Sequence, residues 1–310
     1  MNLVFFDVEC SNCVNGEGKI GYVKTDENFL ILKKKDILVD PAAPFLLNNA
    51  QGEGIKLAYP IFRFQRAFTF PHYYKEIKTL LEDENNLCFG FAVSQDVSYL
   101  CYTCKRYGLD PIVFSFFDIQ KMEMILKEKK DASALDSLIE EFHLHSYTYH
   151  RSDDDALMTM EVFRELLKQN HFSIENVFEL FPQAFNDTNR FLLESEARKK
   201  QKALHKKFVE KSQILFSDPT VRFDINLYNP TLYKKVFYID SELLTSEIDS
   251  LVKHKKAIDS HGAILTRNPK FAQIVLVKNK RKRIHMSELP KHVVYMSYDA
   301  FIKELNKKGN

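Results

Sequence analysis

The chain of 310 residues contains no tryptophan, nine glycines and ten prolines. That is too little glycine and proline for a collagen-like or low-complexity chain. Its five cysteines are an odd number spread over a long sequence. They do not make the disulfide framework of a small secreted domain, and a reduced compartment is expected. No stretch approaches the roughly 18 consecutive apolar residues of a membrane span. The opening MNLVFFDVEC has no cationic segment and reaches Asp7 too early for a secretory signal. A cytoplasmic protein without a membrane partner is the expectation.

What is present is ordinary globular material. Hydrophobic residues make up 45% and charged residues 28%, which excludes a mostly disordered or fibrous chain. The length is about twice that of a typical domain, so two domains are expected. A net charge of +2 conceals a segregation: residues 198–310 hold 24 Lys and Arg against 11 Asp and Glu, whereas residues 1–197 hold 20 against 31. A basic half of this size points to nucleic acid or another polyanion, against the plainer reading of lysines that only keep a surface soluble.

Short apolar runs rich in Val, Phe and Ile predict strands at 3–10, 20–25, 29–34, 87–93 and 111–119. Helical spacing predicts helices at 71–81, 96–107, 119–128, 133–142 and 153–169. The stretch 40–60 holds three prolines and two glycines and reads as loop. Meandering strands followed by alternating strands and helices give an α/β class, a sheet covered by helices. From 173 to about 212 the pattern is helical and increasingly charged, a helical linker. Residues 213–310 then read as a small basic α/β domain.

The informative acids lie at the ends of these runs. Asp7 and Glu9 are two apart on a strand and leave the same face. An acid closing an apolar run is costly unless something compensates it, and a divalent cation held by oxygens does so. Two ordinary acids at a strand end is the plainer alternative. Asp96 follows the second buried strand at the start of a helix, where backbone amides alone can stabilise it. His150 and Asp155 stand five apart in HRSDDDALM, at the start of a further helix whose dipole favours all three of Asp153, Asp154 and Asp155.

Taken together, D-x-E on the first strand, an Asp on a helix about 90 residues later, and H-x4-D on another helix resemble the DEDDh, or DnaQ-like, superfamily of 3′→5′ exonucleases. That group includes the proofreading epsilon subunit of bacterial DNA polymerase III. The resemblance implies an RNase H-like exonuclease domain over 1–172, with a mixed central sheet and flanking helices. It implies that Asp7, Glu9, Asp96 and Asp155 hold two divalent ions, Mg²⁺ or Mn²⁺, and that His150 is the general base. Cys10, Ser11 and Asn12 would border the 3′-terminal nucleotide. The implied partner is a single-stranded 3′ end, DNA favoured over RNA, with a polymerase or repair protein as a further partner. Around the second Asp many relatives carry G-H-N-x-x-F-D, whereas this chain has Gly90-Phe-Ala-Val-Ser-Gln-Asp96. The wall of the nucleotide pocket therefore differs, and an exoribonuclease of the same mechanism is the nearest alternative.

Three further patterns stand outside that set. Phe62, Phe64, Phe68, Phe70, Tyr73 and Tyr74, mixed with Arg63, Arg66 and Lys75, suit stacking of bases and holding of phosphates, or else a core. Cys10-x2-Cys13 and Cys101-x2-Cys104 raise a zinc-structured, non-catalytic binding module as another alternative, with buried thiols as the simpler reading. The order of strands and helices in 213–310 resembles a BRCT domain, with His261-Gly262 at the tight turn and Phe301 in place of that family's tryptophan. The run KNKRKRIH, 278–285, is either a solvated hairpin loop or a salt-sensitive nucleic-acid contact.

Overall fold

The computed structural model describes residues 1–10, 18–45, 47, 57–145, 151–278 and 289–307. The chain divides into two compact units, Met1–Ser195 and Glu196–Asn310.

Among the described residues the first unit has six strands: β1 (Asn2–Cys10), β2 (Gly18–Asp26), β3 (Ile31–Leu38), β4 (Asn86–Gly90), β5 (Ser115–Asp118) and β6 (Phe185–Asp187). They form one mixed sheet in the order β3-β2-β1-β4-β5-β6. β1, β4 and β5 run parallel, while β2, β3 and β6 are antiparallel to their neighbours. The carboxyl ends of β1 and β4 therefore lie side by side, the place where chains of this class collect functional groups.

Alternation along β1 sends its side chains to two cores. Leu3 and Phe5 pack with Val23, Phe89 and Phe117 against α6 (Ser152–Asn170) and α7 (Ile174–Leu180). Phe163 of α6 anchors that side, its ring 4.8 Å from Phe89 and 6.1 Å from Phe5. Val4, Phe6 and Val8 pack on the other side with α2 (Phe70–Glu82) and α3 (Ser94–Arg106). Asp7 and Glu9 share the parity of Phe5 and so leave on the α6 side.

The remaining helices of this unit are α1 (Ile61–Gln65), α4 (Ile119–Leu126), α5 (Leu135–Glu141) and the first part of α8 (Thr188–Leu215). Several sequence-based boundaries shift. The strand expected at 87–93 is Asn86–Gly90, because the chain turns there into the N-cap of α3 at Val93. The strand expected at 29–34 is Ile31–Leu38, because its pairing with β2 and not its apolar content sets its length. The strand expected at 111–119 is only Ser115–Asp118. Residues 173–195, expected to begin a linker, belong to the first unit. β6 pairs with β5, and Val177, Phe181 and Phe191 are buried in its cores.

The second unit contains β7 (Val236–Ile239), α9 (Ser241–Ser260), β8 (Ile264–Thr266), β9 (Ile274–Val277), β10 (Val294–Ser297) and α10 (Tyr298–Leu305). Its four strands among the described residues are all parallel, in the order β10-β9-β7-β8. Phe237 and Phe301 meet in its core with ring centres 5.1 Å apart. Gly262 turns α9 into β8 with φ +67°, a conformation that favours glycine. Among the described residues no helix is long and apolar enough to cross a membrane.

Candidate active site

The site forms where β1, β2 and the first turn of α6 meet. In the β1–β2 ladder Asp7 is paired with Gly21 and Glu9 with Lys19. A Cβ on Gly21 would lie 2.0 Å from the Ser152 carbonyl carbon and 2.1 Å from the Asp153 nitrogen. Only a residue without a side chain lets the α6 terminus rest directly on the sheet there. That contact places Asp155 beside the strand acids: one carboxylate oxygen each from Asp7, Glu9 and Asp155 lies within 4.8 Å of the others.

The neighbouring acids of α6 are occupied elsewhere. Asp153 is 3.3 Å from both Lys34 Nζ and Arg151 Nη2. Asp154 pairs with Lys34 and with Arg151 Nε. Two cations thus neutralise two of the three consecutive aspartates. Asp155 lies within reach of Asp7 and Glu9.

Asp96 arrives from the opposite side of the sheet. It sits in the first turn of α3, only 6% exposed. Its Oδ1 accepts a hydrogen bond of 2.8 Å from the backbone N–H of Val8, between the two strand acids. The carboxylate therefore clamps the end of β1 and lies close enough to Asp7 for their charges to oppose each other.

Burial and mutual repulsion dominate the electrostatics. Burial, then the charge of Glu9, pushes the Asp7 carboxyl up to about 7. Burial, then the charges of Asp7 and Glu9, pushes Asp155 up to about 8. Burial and the charge of Asp7 raise Asp96 well above the usual carboxylate range. Asp7 Oδ2 is buried with no hydrogen-bond partner among the described residues. An oxygen-only donor set with an unsatisfied buried carboxylate oxygen fits a hard divalent cation, Mg²⁺ or Mn²⁺.

Lys19 and Gly21 are the participants that the sequence reading missed. Lys19 is 3% exposed, and its Nζ has no hydrogen-bond partner among the described residues. Its positive charge holds down the carboxyls of Asp7, Asp155 and Asp36 against the burial that raises them. It lies 5.9 Å from the centre of the Tyr59 ring, whose hydroxyl donates 2.8 Å to Asp36 Oδ2. Gly21 stands inside the strand expected at 20–25 and Lys19 just before it, in β2 as observed, but their importance depends on which β1 residue each one faces.

His150, Ser11, Asn12, Cys13 and residues 279–285 of the basic run lie outside the described residues, as does the side chain of Cys10. The aromatic group divides. Phe64 and Phe70 are fully buried and belong to the core, whereas Phe62 and Phe68 are exposed. Phe62, Arg63 and Arg66 border a groove of about 630 Å³ with Lys35, Asp36 and Tyr73. Cys101 and Cys104 are free and sit with the apolar cluster on the α3 side. Burial pushes the Cys101 thiol up to about 11. Among the described residues the one cluster able to hold a metal is Asp7, Glu9 and Asp155.

No protein-family model matches the chain, and no curated protein matches it. Solved structures do. A 3′-exonuclease recognising a histone mRNA stem-loop is 13% identical, with a TM-score of 0.43 over 54% of this chain and 64% of that one. S. pombe Pop2p in an Mg²⁺- and Mn²⁺-bound form is 15% identical, with a TM-score of 0.42 over 54% and 83%. E. coli exonuclease I in complex with a dT13 oligonucleotide is 13% identical, with a TM-score of 0.43 over 58% and 43%. The chain thus spans less than two thirds of the length of the first and the third of these proteins.

Proposed function

We propose that the first unit is a divalent-metal-dependent 3′→5′ exonuclease of the DEDDh type, releasing 5′-mononucleotides from single-stranded nucleic acid, with DNA favoured over RNA. The convergence of Asp7, Glu9 and Asp155 within 4.8 Å carries this reading. Half-buried carboxylates that repel one another stay ionised together only where a cation offsets them. When bound, two divalent ions would activate water and stabilise the charge that develops on the phosphate.

The chain's own residues have separable tasks. Asp7, Glu9 and Asp155 supply oxygen ligands from two elements that Gly21 brings together. Asp96 fixes the strand end through the Val8 N–H and adds a fourth carboxylate. Lys19 keeps the acid cluster ionisable. His150, on the H-x4-D spacing, is the base that takes the proton of the attacking water. Phe62 with Arg63 and Arg66, which have no carboxylate partner among the described residues, suits a base and its flanking phosphates.

For the second unit we propose a BRCT-like module. The parallel sheet, the left-handed Gly262 between α9 and β8, and the buried Phe301 in the last helix support it.

The test is degradation of DNA and RNA oligonucleotides labelled at either end. Shortening from the 3′ end that requires Mg²⁺ or Mn²⁺ and stops in EDTA is expected. Shortening from the 5′ end, or full activity in excess EDTA, would overturn the reading.

A further inference from the structure

A second surface lies wholly within Glu196–Asn310. Between α8 and α9 runs a groove of about 840 Å³. Arg198, Lys202 and Lys206 follow one another along it at every fourth residue of α8, so they share a face. That spacing sets them about 6 Å apart along the helix axis. Lys207 and Lys211 also line the groove. Of these five cations only Lys211 is paired, with Asp249, among the described residues. The groove also carries Leu204, Phe208 and Ile248, and Leu204 is 68% exposed.

Like charges at four-residue spacing weaken a helix. Here successive pairs lack acids between them, and Leu204 of the same groove is left open to water. A row of cations beside apolar surface is complementary to a polyanion whose own apolar groups are exposed. A single nucleic-acid strand has that chemistry, whereas a duplex hides the faces of its bases.

We propose that the α8–α9 groove binds single-stranded nucleic acid, with Arg198, Lys202 and Lys206 on successive phosphates and Leu204 and Phe208 against bases. The inference rests on the exonuclease reading only for its choice of a single strand; the groove itself shares no residue with the carboxylate site.

The test uses the full-length protein in EDTA, with labelled oligothymidylate and oligouridylate of about twelve residues. Lys202→Gln/Lys206→Gln should bind about tenfold more weakly at low salt. Its slope of log K against log salt should be shallower by about 1.4, two contacts at about 0.7 each. Leu204→Asp, at an exposed position, should weaken binding without changing the far-ultraviolet helix signal. Either oligonucleotide responding in this way supports the groove, and their ratio tells DNA from RNA. Unchanged affinity and slope in both variants would overturn it, as would poly-Glu competing as well as the oligonucleotides. Metal-dependent hydrolysis of a dinucleotide should survive all three substitutions. Loss of that hydrolysis in the unaltered protein, with the binding effects intact, would remove the exonuclease reading and leave the groove.

Discussion

The first unit draws its surplus acid inward, and the second leaves its surplus cations outside. Asp96, Asp153 and Asp154 are buried, and Asp7 and Asp155 are pressed together beneath partial cover. Arg198, Lys202 and Lys206 instead line an open helix face. Buried like charges need a partner small enough to enter and charged enough to offset desolvation, which a divalent ion is. Exposed like charges at regular spacing suit a long partner held loosely, with affinity governed by salt. On the two proposals above, the contrast is one of chemistry against capture, and each side can be broken alone.

The largest effects belong to the buried site. Asp7→Asn or Asp155→Asn should abolish measurable nucleotide release. The ion-free fold should survive or gain stability, because each removes one of the repelling charges. Retained single-turnover cleavage in both variants would end the exonuclease reading. Gly21→Ala should be as damaging by another route. Its methyl overlaps the α6 backbone, so a stability loss of about 3 kcal/mol or more is expected in denaturant unfolding. A variant unfolding at the wild-type midpoint would show that the close approach is dispensable.

An intermediate effect is expected from pH. The carboxyls of Asp7 and Asp155 are raised to about 7 and about 8. The folded state therefore holds protons that the unfolded chain releases near pH 4. These groups stabilise the ion-free protein at low pH, and that contribution is lost as pH rises from about 4 through about 8. Melting temperature without metal should fall across that window, and Mn²⁺ should restore it more at pH 8 than at pH 6. Melting curves that coincide across this window would contradict the placement of these acids. Lys19→Gln should shift the ion-free fall to lower stability at pH 8, since its charge opposes the repulsion. The smallest effect is the change in salt slope for the α8 variants, which alters binding and leaves the chemical step untouched.

The sequence makes some of this legible and conceals the rest for physical reasons. Asp7 and Glu9 stand out because alternation along one strand fixes their common face. Asp96 stands out because an acid directly after a buried strand is visible locally. Asp155 is singled out from Asp153 and Asp154 by its spacing from His150. The structure gives a separate reason: Lys34 and Arg151 occupy the other two. Gly21 and Lys19 were not legible, since their roles exist only across the β1–β2 ladder. β6 is three residues, Phe185–Asp187, too short for any period to show. α1 is five residues with one buried side chain, Phe64, too short for helical spacing to show in sequence.

The central claim is that Asp7, Glu9 and Asp155 form a cation site that must lose protons to fill. Calorimetric titration of Mn²⁺ into the protein near pH 7, repeated in buffers of different ionisation enthalpy, reads both events together. Binding accompanied by proton release is expected for the unaltered chain, with both lost in Asp7→Asn. An Asp7→Asn variant that binds Mn²⁺ as tightly, releasing as many protons, would contradict the claim.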